Sequence, residues 1–242
     1  MVSGASDASE AKSALLALVS ASDRGLRPTS RAEVERQVDV LVASASATDA
    51  TSSRRPGWSL GGGPRAVGMV SGTNGDELSG CWRLVWTSEK ETLWLLENGI
   101  PLTRLEASES YQVIDVAAGT LSNVIEFYPG AAGEKEGTNN GTDATAAFVV
   151  DASLSPTQAS DGRRCVFSFT SARFVTRDGT RVVNLPPFGR GWFDTVYLEA
   201  AARGGRGQGR PSLRVARDSR GDTLVTERQA PRTVDTWWDA IR

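Results

Sequence analysis

The sequence predicts a mainly β fold: an antiparallel barrel of about 8–10 short strands, preceded by an N-terminal helical hairpin and followed by a short C-terminal helix. Two observations carry this. The apolar period changes from three-and-four to two at Gly80, and the strand-like runs beyond it are divided by turn pairs such as Asn98-Gly99, Asn140-Gly141 and Asp178-Gly179. Length agrees, since 242 residues hold one barrel with added helices, all-β units reaching about 200–250 residues.

Taken in order, residues 1–43 read as the hairpin. Asp7 and Glu10 stand at capping-box spacing before Ala11, Ala14, Leu15, Leu18 and Val19, which share one helical face, and Gly25 is a stop signal. Ser30 and Glu33 repeat the signal before Val34, Val38, Leu41 and Val42. Residues 44–79 are rich in Ser, Thr, Gly and Ala without a period and contain Arg54-Arg55-Pro56 and Gly61-Gly62-Gly63-Pro64, the composition of a flexible linker. Residues 80–242 form the barrel unit.

Within it, Trp82, Leu84 and Trp86 alternate with Cys81, Arg83, Val85 and Thr87. Leu121, Asn123, Ile125 and Phe127 form a second alternating face, and Arg163, Cys165, Phe167 and Phe169 a third. Further strands are expected over 92–96, 111–117, 145–151, 173–176, 180–184, 193–199, 212–217 and 222–228, with Trp237 and Trp238 on the final short helix.

Charge and composition narrow the function. With 27 basic and 29 acidic residues the net charge is −2, so no global field draws the chain to nucleic acid, and no nucleic-acid partner is expected. No apolar run approaches the ~18 residues of a membrane span. The N-terminus lacks an apolar core with a cleavage site, and Asp7, Glu10 and Asp23 suit a transit peptide poorly. Cys81 and Cys165 are too few for a disulfide scaffold or metal cluster; their place in strand-like runs predicts buried free thiols, and spacing does not decide whether they pair.

Nothing assembles a catalytic centre. The chain has no histidine, which removes the usual general base and a common metal ligand. Gly57-Trp58-Ser59-Leu60-Gly61 spells a nucleophile elbow without the base that elbow needs. Glu89 with Glu91, and Asp76 with Glu77, fall in expected turns. Asn140-Gly141-Thr142 reads as a hairpin turn rather than a glycosylation site. A non-catalytic protein requiring neither metal nor cofactor is expected.

A barrel of about eight strands is just wide enough to be filled by side chains or to hold one small ligand. Trp86, Phe127, Phe148, Phe167, Phe169 and Tyr197 are the large strand residues available for either use. The densest charge is basic: Arg203, Arg206 and Arg210 in a Gly/Arg tract that continues to Arg214, Arg217 and Arg220. An exposed hairpin loop is the expected reading, its arginines suited to an anionic membrane surface, while single-stranded RNA is the competing partner such tracts serve elsewhere.

The runs Gly191-Trp192-Phe193-Asp194-Thr195-Val196-Tyr197-Leu198-Glu199 and Leu213-Arg214-Val215-Ala216-Arg217-Asp218-Ser219-Arg220-Gly221 resemble the C-terminal signature of the plastid lipid-associated proteins, or fibrillins. Residues 14–26, 80–88 and 113–127 agree in the same order. The chain departs from the pattern in the insertion carrying the Gly/Arg tract, since the two signature halves are usually nearly contiguous. Gly80-Cys81-Trp82 is similar to the Gly-x-Trp of lipocalin-like barrels, in which the Trp closes one end and a late Arg stacks over it. Here Trp82 takes the first role, and Arg217 and Arg228 both qualify for the second. The resemblance implies a lipocalin-like barrel in the chloroplast, at thylakoids or plastoglobules, with its targeting segment absent from this chain. It implies a lipophilic small molecule as partner, such as a bound carotenoid, prenylquinone or other isoprenoid lipid, at a peripheral membrane surface. The alternative is a structural or assembly subunit docked on a thylakoid photosynthetic complex.

Overall fold

The computed structural model describes residues 3–27, 31–52, 75–99, 105–129, 146–157, 163–176, 182–185, 189–199 and 212–229. The period-two runs form β1 (Gly80–Thr87), β2 (Leu105–Asp115), β3 (Thr120–Pro129), β4 (Ala146–Pro156), β5 (Arg164–Thr176), β6 (Val182–Leu185), β7 (Arg190–Leu198), β8 (Leu213–Asp218) and β9 (Thr223–Gln229). Every neighbouring pair is antiparallel, in the order β4-β3-β2-β1-β9-β8-β7-β5-β6, and β4 also pairs with β5. Eight strands therefore close into a barrel, which leaves them no open edge. The short β6 continues the line of β7 along β5: Ala172 to Val175 face Leu185 to Val182, whereas Arg164 to Ser168 face Asp194 to Arg190.

The helices are α1 (Ser3–Ala21), α2 (Arg31–Ser52), α3 (Gly75–Leu78) and α4 (Lys90–Asn98). The hairpin α1–α2 lies against the outside of the barrel. Leu15, Val19, Val34, Val38 and Leu41 form one buried cluster with Trp86, Tyr197, Leu213, Val215 and Val225. Polar contacts flank that seam: Lys12 Nζ meets Glu199 Oε2 at 2.5 Å, Arg217 meets Asp39 at 2.6 Å, and Thr223 Oγ1 donates to Glu35 at 3.0 Å. At the turn after α1, Gly25 has φ 107°, and a Cβ there would come within 2.3 Å of the Thr87 carbonyl oxygen. Only glycine lets the turn sit this close to the end of β1.

Three expectations need correction. Residues 92–96, read as a strand, belong to α4, because a short apolar run fits a strand and one face of a helix equally. Asn98-Gly99 is accordingly a helix stop and not a hairpin turn: Gly99, at φ 60°, donates to the Leu95 carbonyl at 2.9 Å. The runs 163–170 and 173–176 are one long strand, β5. In addition, α2 continues to Ser52, past the boundary drawn at residue 43. The Asn140-Gly141 and Asp178-Gly179 turns, the linker residues 53–74, and Trp237 and Trp238 lie outside the described residues.

Candidate functional site

The barrel encloses a cavity of about 450 Å³. That is enough for one small ligand, sites for which typically run ~300–1,000 Å³. Its wall is mostly apolar, built from Leu84, Leu121, Ile125, Phe148, Val150, Phe167, Phe169, Phe193 and Ala216, with Ser110 and Thr226 beside Ile125 and Leu84. Phe167 stands 5.2 Å from Phe169 and 6.3 Å from Phe193 between ring centroids, so the aromatic rings touch one another and still leave the void.

One end of the barrel is closed. Trp82 is fully buried and its indole Nε1 donates to the Leu78 carbonyl of α3 at 2.9 Å. The Arg228 guanidinium lies 4.3 Å from the Trp82 ring centroid, donates to the Ser79 carbonyl at 2.8 Å, and also donates to that of Glu77. Gly80, at φ 143°, makes room for it, since a Cβ there would fall 2.4 Å from Arg228 Nη1. The glycine two residues before the Trp is thus the space through which the arginine reaches its stack.

Arg214 sits on the same inner floor. Its side chain is 1 % exposed, with the guanidinium 4.9 Å from the Phe193 ring and 5.9 Å from that of Trp82. Nη1 donates to Gln112 Oε1 at 2.6 Å, and Gln112 Nε2 donates in turn to Asn123 Oδ1 at 3.0 Å. Burial pulls the guanidinium down to about 10, with the neighbouring Arg228 charge acting in the same direction.

The open end is charged. Arg190, Glu89, Glu91, Asp218 and Arg220 border it. Arg220 holds Glu91 at 3.0 Å, Asp218 at 3.1 Å and Glu89 at 3.5 Å, tying α4 to the β8–β9 turn. Burial pushes the Glu89 carboxyl up, opposed by the hydrogen bond from Thr92 and the charge of Arg220. Among the described residues no group of three His, Cys, Asp or Glu side chains is placed to hold a metal ion. No described helix is long and apolar enough to cross a membrane.

This closed barrel end, with its glycine, tryptophan and stacked arginine, stands beside direct similarity to known proteins. The PAP_fibrillin family model matches residues 67–227. The chain is also 33 % identical over 228 residues, covering 93 % of itself and 82 % of the relative, to an Arabidopsis thaliana protein named "Probable plastid-lipid-associated protein 11, chloroplastic". The chain belongs to the plastid lipid-associated protein family, the fibrillins. No solved structure is significantly similar to it.

In this fibrillin the sequence-predicted residues divide three ways. Phe148, Phe167 and Phe169 border the cavity. Phe127 does not: it is packed with Leu96, Leu105 and Phe174, the last at 6.2 Å between centroids. Trp86 and Tyr197 point out of the barrel into the helical seam. The reason is two β-bulges, one between Leu84 and Trp86 and one between Thr195 and Tyr197, each of which inverts the facing of the residues after it. Of the two arginines proposed to cover Trp82, Arg228 does so, while Arg217 faces α2. Arg203, Arg206 and Arg210 lie outside the described residues.

Cys81 and Cys165 are not joined by a disulfide. Cys165 faces inward and Cys81 packs outward near Tyr111 and Val124, so the barrel wall separates them. Arg214 was missed as an interior residue of this fibrillin because strand alternation alone directs Leu213 and Val215 to the core. The helical hairpin supplies a second apolar surface outside β8, which takes those two and turns Arg214 inward.

Proposed function

We propose that this fibrillin is a non-catalytic carrier of one lipophilic molecule of the isoprenoid or related lipid class, held inside the barrel at a plastid membrane surface, thylakoid or plastoglobule. The observation that supports it is the 450 Å³ cavity, mostly apolar along its wall and charged at its two ends. A prenylquinone, with a polar head on an apolar tail, suits that distribution better than a wholly apolar carotene, which would leave the floor polar groups unpaired. The chloroplastic relative supports a plastid location. Trp94, 49 % exposed on α4 beside the cavity mouth, suits contact with a lipid interface. The Gly/Arg tract with Arg203, Arg206 and Arg210 is proposed to add attraction to anionic lipid.

The test is binding of a short-chain prenylquinone, followed by tryptophan fluorescence, with Ala216→Phe as the blocked variant. Ala216 borders the cavity, so the added ring fills ligand space. Saturable binding by the native protein, lost in Ala216→Phe while its melting temperature is kept, is the expected result. Failure of the native protein to bind any neutral or acidic lipid would overturn the carrier reading in favour of a scaffold docked on a thylakoid complex.

A further inference from the structure

Of the two arginines on the cavity floor, Arg228 has the charge of Glu77 nearby, whereas Arg214 has no carboxylate in a salt bridge with it among the described residues. Among the described residues Arg214 Nε and Nη2 have no hydrogen-bond partner, and neither does Arg228 Nε. The carboxylates bordering the cavity, Glu89, Glu91 and Asp218, are held at the opposite end by Arg220. A buried guanidinium without an anion is costly, and buried donors are ordinarily satisfied.

The unpaired edge is a particular one. Nε and Nη2 form the side-on fork of a guanidinium, whose two parallel N–H groups match the two oxygens of a carboxylate. The same chain shows the fork filled elsewhere: Arg164 Nε and Nη2 donate to Asp194 Oδ1 and Oδ2, both at 2.9 Å. At Arg214 the remaining nitrogen, Nη1, is fixed by Gln112, and the Phe193 ring flanks the guanidinium, so the fork is held in one orientation.

We infer that Arg214 is the head-group site of the cavity, taking the carboxylate of a long-chain acid whose apolar tail lies along Leu84, Ile125, Phe148 and Phe167. This rests on the carrier reading and narrows it to an anionic amphiphile. The head group completes the floor, and the tail runs toward the mouth beside α4. Gln112 and Asn123 act as positioning residues, since they fix the guanidinium and border the tail's path.

The test compares palmitate, hexadecanol and hexadecyl phosphate against the full chain and its Arg214→Met and Arg214→Lys variants. Palmitate is expected to bind at least about tenfold more tightly than hexadecanol, a difference of ~1.4 kcal/mol. That preference should vanish in Arg214→Met and be only partly kept in Arg214→Lys, which retains charge without the fork. Palmitate labelled at its carboxyl carbon should show an NMR shift on binding that is lost in Arg214→Met. Both variants should stay folded by circular dichroism, because Arg214→Met removes an unbalanced buried charge. Equal binding of acid and alcohol would overturn the acid-head inference and leave the carrier reading standing; no binding of either would also overturn the acid-head inference, while the prenylquinone titration decides the carrier reading separately. Tighter binding of hexadecyl phosphate than of palmitate would transfer the site to a phosphate head.

Discussion

Replacing Trp86 by alanine tests where the two bulges send the large residues of the barrel wall. Trp86 is 1 % exposed and packs with the hairpin residues Leu15, Val38 and Leu41, not against the cavity. A buried aromatic of this size covers ~150–250 Å². At ~25 cal/mol per Å² the whole side chain is worth about 4–6 kcal/mol. Keeping the alanine methyl and allowing partial collapse brings the expected loss to about 3–5 kcal/mol. Its indole Nε1 has no partner among the described residues, so Trp86→Phe removes an orphan donor worth ~1–3 kcal/mol along with part of the area. That variant should fall within about 1 kcal/mol of the native protein by the same reasoning. Urea melts give both numbers, and amide exchange of α1 and α2 locates the effect, since loosening the seam should strip protection from the hairpin before the barrel. A loss below ~1 kcal/mol for Trp86→Ala, or unchanged hairpin protection, would refute the outward placement of Trp86.

Three further outcomes follow from the arginines and the inner thiol. Arg228→Met should cost about 2–4 kcal/mol by thermal or urea unfolding, because it ends both the Trp82 stack and charge-assisted bonds to two carbonyls. Arg217→Ala, which breaks a half-exposed pair with Asp39, should cost less than ~1 kcal/mol. Burial pushes the Cys165 thiol up from 9.0 to about 11, aided by Asp194 and opposed by Arg214. The folded state therefore holds that proton more tightly, and the contribution is complete below about pH 9 and lost as pH rises through about 11. Urea melts across that window should lose roughly 2 kcal/mol, a loss absent in Cys165→Ala, and iodoacetamide at pH near 8.5 should leave Cys165 unlabelled until the protein is unfolded.

Architecture was legible where one period governs a whole segment. The runs beginning at Gly80 and Leu121 became β1 and β3, and the apolar faces of residues 11–19 and 34–42 became the helical hairpin. What was not legible were features that depend on a neighbour. A single extra residue at Val85 or Val196 leaves no mark on composition, yet it decides whether Trp86 and Tyr197 face the cavity or the helices. Thr92 to Leu96 carries too few residues for its period to separate strand from helix. Arg214 was read as part of an exposed basic tract because the rule that apolar residues face the core presumes one core. This chain has one inside the barrel and a second between barrel and hairpin, and β8 serves both.

The pairing of β1 with β9 sets the order in which this protein comes into being. Trp82 pairs with Arg228 and Leu84 with Thr226, contacts that join the first strand to the last. During synthesis β1 must wait, one edge unpaired, while the rest of the barrel is made. Until β9 arrives there is no cavity, no cover over Trp82, and no complete seat for the helices translated first. A message truncated ahead of Thr223 would therefore yield an open sheet with two adhesive margins, prone to stick to its own copies. The enclosed cavity is completed all at once, with β9.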